Sequence, residues 1–309
     1  MPELWVERGI GETRAVLVEQ GRIIEARVTL DGQVEAGARL AAQLKRVGRN
    51  AVAIADGHDY LLPKGAPGVT QGAALTIEVT REAIGTEDWK RPLARVVEAP
   101  ASAAPPLQGR TLSFPAPDDE LEQVGWSDLI DEARSGIVAF AGGELRIAVT
   151  PAMTLIDIDG SLSPTELTNA GARASADAIR RHGIGGSIGI DFPTTGKAAR
   201  QAAVEAVDAI LPQPFERTAV NGFGFLQIVR PRRHASLFEL ALDRSKFEAR
   251  ALLRRAARET GRIDLIAHPT VVAAITSGWS DQLARQIGGT VSLHADPSIG
   301  IAGGHAVRR

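Results

Sequence analysis

The chain of 309 residues contains no cysteine. That excludes disulfides and any thiolate metal site, and it suits a reducing compartment. Long apolar runs are missing too. Stretches such as LIAHPTVVAAITSGW are too short and too interrupted to span a bilayer. The opening MPELWVERG carries charges and no apolar signal core, so a cytoplasmic protein without membrane association is expected. Nor is there an excess of one charge. A formal net charge of −2 gives no global nucleic-acid signature, so a polyanionic partner would have to be held by local patches. The histidines, His58, His182, His234, His268, His294 and His305, show no metal-ligand spacing, and none is assigned to metal or acid–base work.

What is present is enough apolar material, 44% of the chain, for a sizeable core divided over two or more domains. Residues 4–28 read as three strands broken at Gly9–Gly11 and Gln20–Gly21–Arg22, an antiparallel meander. From 36 to 97 come further short strands with Gly-, Pro- and Asp-rich turns, the pattern of a small barrel. APASAAPPLQG reads as a linker. WSDLIDEARSG reads as a short helix, followed by a hairpin turning at Gly142–Gly143. Ser163-Pro164-Thr165-Glu166 has capping-box spacing with proline at the first helical position, so a helix should run from there to Arg181 and stop at Gly183. Ser245 and Glu248 suggest a second capping box. The end reads β-α-α-β. Strand–helix alternation after residue 120, against mainly β before it, predicts α/β in the second part.

Two apolar strands, MTLIDIDGS and SIGIDF, end in aspartate, at Asp157 and Asp191. Strand ends are where open sheets present binding residues to a crevice. Two carboxylates brought together repel unless a cation sits between them, and Mg²⁺ is often held by one or two carboxylates plus waters and phosphate oxygens. Asp159, two residues beyond Asp157, would face the same side. The bland alternative is turn chemistry, in which Asp-x-Asp-Gly bonds to nearby backbone N–H groups.

LIDIDGSL alone resembles the opening motif of haloacid-dehalogenase-type phosphatases, which would make Asp157 a nucleophile and Asp159 a general acid. A resemblance to the RNase E/RNase G family of bacterial endoribonucleases covers nearly the whole chain. It rests on MTLIDID…IRRHGIGGSIGIDF, VNGFGFLQIVRPRR, the opening LWVERGIGETRAVLVEQGRI, and the ending IDLIAHPTV…VSLHADPSIG. The resemblance implies a multidomain α+β and α/β protein: an RNase H-like domain (1–35 and, with a linker, 99–149), an inserted OB-fold barrel (36–98), a DNase I-like catalytic subdomain (150–235) and a small α/β carboxy-terminal domain (236–309). It implies a magnesium-dependent endoribonuclease cutting single-stranded RNA to 5′-phosphate and 3′-hydroxyl ends.

By the same resemblance Asp157 and Asp191 are the catalytic, metal-binding carboxylates for Mg²⁺ or Mn²⁺. The family has asparagine where this chain has Asp159. An ionised carboxylate there cannot donate to an attacking water as an amide can, so Asp159 would strengthen metal binding, change the rate or mark lost activity. Lys90 falls at a family lysine near the catalytic centre, or is an ordinary solvated lysine. The family's stacking aromatics are replaced by Ala53 and Leu61, and the neighbouring Tyr60 either offers a base-stacking face or packs the barrel. Arg230, Arg232 and Arg233 form a basic cluster suited to phosphate oxygens, or are a solvated surface. The stretch after the barrel is too short for the family's 5′-end sensor, and Gly222 stands at a sensor arginine, so cleavage should ignore the 5′-phosphorylation state. Without cysteines the family's zinc link is excluded, which leaves a monomer or a zinc-free homodimer. An RNA-binding relative without catalysis is the alternative.

Overall fold

The computed structural model describes residues 1–85, 90–116 and 118–309. The chain opens with an antiparallel meander of β1 (Glu3–Arg8), β2 (Glu12–Glu19) and β3 (Arg22–Leu30). Next come β4 (Arg39–Arg46), β5 (Ala51–Ala55), β6 (His58–Leu62), β7 (Ala74–Arg81) and β8 (Leu93–Val96). β9 (Arg110–Leu112), α1 (Glu120–Gln123) and α2 (Trp126–Ser135) lead to β10 (Ile137–Phe140), β11 (Gly143–Val149) and β12 (Thr154–Gly160). Then follow α3 (Pro164–Arg181), β13 (Gly186–Asp191), α4 (Lys197–Ile210), β14 (Glu216–Arg217) and β15 (Phe225–Arg230). The chain closes with α5 (Leu237–Leu240), α6 (Arg244–Ala256), β16 (Ile263–Ala267), α7 (Pro269–Ala274), α8 (Ser277–Gln286), β17 (Val291–Ala295) and β18 (His305–Arg308). Among the described residues no helix is long and apolar enough to cross a membrane.

The protein is a mixed α/β chain that groups into two compact units. One combines residues 1–31, 108–128 and 240–309. It contains a four-stranded sheet, β3-β2-β1-β9, and a three-stranded sheet, β17-β16-β18. Ile10 shares a core with Leu252, Leu253, Ile263, Leu265 and Leu283. Between the two units the chain crosses after residues 31, 107, 128 and 239.

Charge as well as apolar packing ties this unit together. Arg14 is fully buried and donates to Glu7 Oε1 at 2.5 Å and Glu12 Oε1 at 2.7 Å. Arg250 reaches the other oxygen of Glu12 at 2.9 Å, and Arg254 bridges Glu7 and Asp119. Buried charges persist only when paired and hydrogen-bonded in this way. The expected Ser245–Glu248 box does not form. α6 begins at Arg244, so Asp243 is the cap, accepting from Lys246 N, and Glu248 is buried at 2% exposure.

The second unit, residues 32–107 and 129–239, contains a closed barrel in the order β4-β5-β6-β8-β7 and a six-stranded sheet, β10-β11-β12-β13-β15-β14. Leu44, Tyr60, Leu62, Ile77 and Val79 fill the barrel, and each is 1% exposed or less. Burying a side chain of that kind stabilises by about 1.5–3 kcal/mol before chain entropy is counted. In the sheet, Leu145, Ile156, Ile158, Ile188, Ile190 and Leu226 form the buried face, with α3 against β10, β11 and β12. α3 starts as the Ser-Pro-Thr-Glu spacing required: the Ser163 N–H and hydroxyl both donate to the Glu166 carboxylate, and Gly183 follows its end.

Candidate functional site

The opposite face of the six-stranded sheet is open. β12 alternates strictly, with Thr154, Ile156 and Ile158 buried and Leu155, Asp157 and Asp159 exposed. This is the period-2 pattern of a sheet wet on one side. Residues paired in register on neighbouring strands share a face. The register places Arg146 opposite Asp157, Asp157 opposite Asp191, and Asp191 opposite Phe225. A row Arg146–Asp157–Asp191–Phe225 therefore crosses four strands, with the two aspartates on the parallel pair β12–β13. The structure thus brings Asp157 and Asp191 together, at a backbone spacing of about 4.8 Å.

One expectation needs correcting. Asp157 is not at a strand end facing a crevice. β12 continues through Asp159 to Gly160 because β11 pairs with all of it, from Thr154 to Gly160. The acids stand on an open sheet surface, with Asp191 alone at a strand terminus.

Asp159 is on the same face, one row along, opposite Glu144. Arg146 serves both acids, with Nη2 2.7 Å from Glu144 and Nε 3.2 Å from Asp159. The arginine therefore anchors the flanking acids, while Asp157 and Asp191 are the in-register pair. In these two rows four carboxylates (Glu144, Asp157, Asp159 and Asp191) meet one guanidinium. Two adjacent carboxylates on an exposed surface suit an Mg²⁺ ion that keeps most of its waters. Among the described residues no group of three or more His, Cys, Asp or Glu side chains is arranged to hold a metal ion.

Gly189, one row from the acids, is required by packing. A Cβ there would lie 2.4 Å from Cζ of Phe225 and 3.0 Å from Cδ2 of Leu155. The Phe225 ring thus leans over β13 beside Asp191. The turn before it is tightly built: Asn221 Oδ1 accepts from Phe223 N and Phe225 N at 2.9 and 3.0 Å. Phe192 N donates to Gly224 O, and Gly224 has φ +94°, where an added Cβ would lie 2.3 Å from Phe192 O. Phe223 is 87% exposed. Reading the sequence alone missed Arg146, Gly189, Phe223 and Phe225, because the register that sets Arg146 and Phe225 against the acids cannot be read from spacing along the chain. The phenylalanines of NGFGF were the available signal.

The barrel residues separate clearly. Tyr60 is 1% exposed within the barrel core, so its ring packs the barrel, and it reaches only the wall of the cleft beside Lys90. Ala53 is buried beside it. Lys90 is half-buried and lines a cleft of about 440 Å³ with His58, Arg91 and Pro92. Glu87, Asp88 and Trp89 of its motif lie outside the described residues.

The three arginines do not form one free cluster. Arg232 is ion-paired with Glu239, and burial together with neighbouring Arg81 pushes its guanidinium below its usual range. Arg230 is half-buried and donates to Ile184 O at 3.3 Å. Arg233 is exposed. No family model matches the chain, and no curated protein matches it.

Proposed function

We propose that the chain is a metal-dependent endoribonuclease acting on single-stranded RNA, with the Asp157–Asp191 pair as its centre. The observation that carries this reading is the register itself. Two carboxylates are fixed side by side on adjacent parallel strands of an uncovered sheet face. Left alone they repel, and nothing in the packing of that face requires them. Bound there, Mg²⁺ would activate water as a nucleophile and neutralise the scissile phosphate. Asp157 and Asp191 would hold it and fix its place against the RNA strand. Arg146, bonded to Glu144 and Asp159, keeps those flanking acids oriented along the row.

The closed five-stranded barrel supports an OB-type RNA-binding module, with Lys90 and Arg91 in the cleft at its wall. In this reading the six-stranded sheet with α3 and α4 is the DNase I-like catalytic part, and the meander belongs to an RNase H-like part. The resemblance in MTLIDID and GGSIGIDF points the same way. The phosphatase reading needs Asp159 as a proton donor, and Asp159 instead forms an ion pair with Arg146. Cleavage should be indifferent to the 5′ end.

The test is cleavage of one labelled single-stranded RNA carrying a 5′-triphosphate or a 5′-monophosphate, with Mg²⁺, with EDTA, and with Asp191→Asn protein. Equal cutting of both RNAs, abolished by chelator and by the substitution, is the expected result. Tight binding without cutting in Mg²⁺ or Mn²⁺ would leave an RNA-binding protein without this chemistry. Hydrolysis of a generic phosphomonoester with none of RNA would overturn the reading altogether.

A further inference from the structure

We infer that Phe223 and Phe225 form a base-stacking subsite beside the Asp157–Asp191 pair, holding a nucleobase next to the scissile phosphate of a single-stranded RNA. The inference rests on the nuclease reading above and names the contact that would seat its substrate.

Three observations carry it. First, Phe225 is paired in register with Asp191, so its ring shares the face of the two acids. A missing Cβ at Gly189 lets that ring lean over β13, because any side chain there would meet it at 2.4 Å. Second, Phe223 is displayed. It is 87% exposed, yet it sits on a turn closed by two bonds to Asn221 Oδ1 and tied by Phe192 N to Gly224 O. Phe192 follows Asp191 directly, so the turn that presents Phe223 is anchored at the end of the strand carrying the catalytic acid. A phenylalanine held in water by an ordered turn has given up apolar burial that a flat ligand would restore.

Third, the local charge is wrong for holding RNA by its phosphates. Four carboxylates and one guanidinium occupy the acid rows of the face. Strand affinity at that point therefore needs a contact that ignores charge, and every base offers a π-face to an aromatic ring.

The experiment measures steady-state cleavage of a short single-stranded oligoribonucleotide in Mg²⁺. A second substrate has one nucleotide beside the cleaved bond made abasic. The proteins are wild type, Phe223→Ala, Phe223→Trp and Phe225→Leu, with circular dichroism as the folding control. Phe223 is exposed, so its substitution leaves the fold intact, and Phe225→Leu keeps an apolar side chain over Gly189. Phe223→Ala is expected to raise KM on the order of tenfold with kcat little changed, and Phe223→Trp to restore it. The abasic RNA should be a poor substrate for wild type and no poorer for Phe223→Ala. Cleavage by wild type with KM unchanged in both Phe223→Ala and Phe225→Leu overturns the subsite and leaves the nuclease standing. If wild type binds the RNA without cutting it, the nuclease reading falls and the same comparison, made in Kd, decides the subsite. No binding and no cutting by wild type overturns both.

Discussion

Replacing Asp191 with asparagine should make the metal-free protein more stable while abolishing cleavage. The two aspartates occupy paired positions on β12 and β13, so their charges face each other about 5 Å apart if the side chains run parallel. Unit charges at that distance repel by about 0.8 kcal/mol in bulk water and by about 3 kcal/mol at an effective dielectric of about 20. Both carboxylates are exposed, which puts the figure near the lower limit, at about 1 kcal/mol. Arg146 relieves little of it, being bonded to Glu144 and Asp159. The assay is urea unfolding followed by far-ultraviolet circular dichroism in EDTA, at low and at high salt. The gain should shrink with salt, because the Debye length falls from about 10 Å at 0.1 M to about 3 Å at 1 M. Adding Mg²⁺ at ten times its Kd should stabilise wild type by about 1.4 kcal/mol, and Asp191→Asn much less. A variant less stable than wild type in EDTA, or a difference that salt does not touch, would refute the account of two mutually repelling carboxylates held for a cation.

Three further outcomes follow from other parts of the molecule. Gly189→Ala drives a Cβ into the Phe225 ring and should cost about 1–3 kcal/mol, read as a lowered urea midpoint; an unchanged midpoint means the ring moves freely. Arg14→Met removes a fully buried guanidinium from Glu7 and Glu12, leaving those acids to Arg254 and Arg250 alone. A loss of about 3 kcal/mol is expected, and a loss below about 1 kcal/mol would show the network to be dispensable. Burial holds the His182 imidazole below the ordinary histidine range despite its contact with Glu132. The unfolded chain therefore takes up that proton first as pH falls through about 6.5, and stability contributed by neutral His182 is present above that pH and lost below it. The wild-type advantage over His182→Gln should shrink between pH 7.5 and 5.5, and an advantage that grows would invert the sign.

Much of the local structure was legible in the chain. Alternation in LIDID placed Leu155, Asp157 and Asp159 on one face, since a strand has a period of two whatever it pairs with. The Ser163-Pro164-Thr165-Glu166 spacing and Gly183 bounded α3, since capping is settled within one turn. The barrel strands were visible between their turns. Ser245 misled for the same local reason: with Asp243 two residues earlier, two caps competed and the helix took the first.

What the sequence determined by itself, then, was element type, the absence of any thiolate site, and two acids each ending an apolar run. Only the tertiary structure decided that Asp157 and Asp191 are neighbours, because parallel register depends on which strands pair and on the crossover through α3 between them. It also buried Tyr60, which the family resemblance had left as a candidate stacking ring, and brought Phe225 beside Asp191. Ile10 and the carboxy-terminal helices meet in one core across more than 200 positions, since apolar surfaces are matched by shape and area and carry no address along the chain.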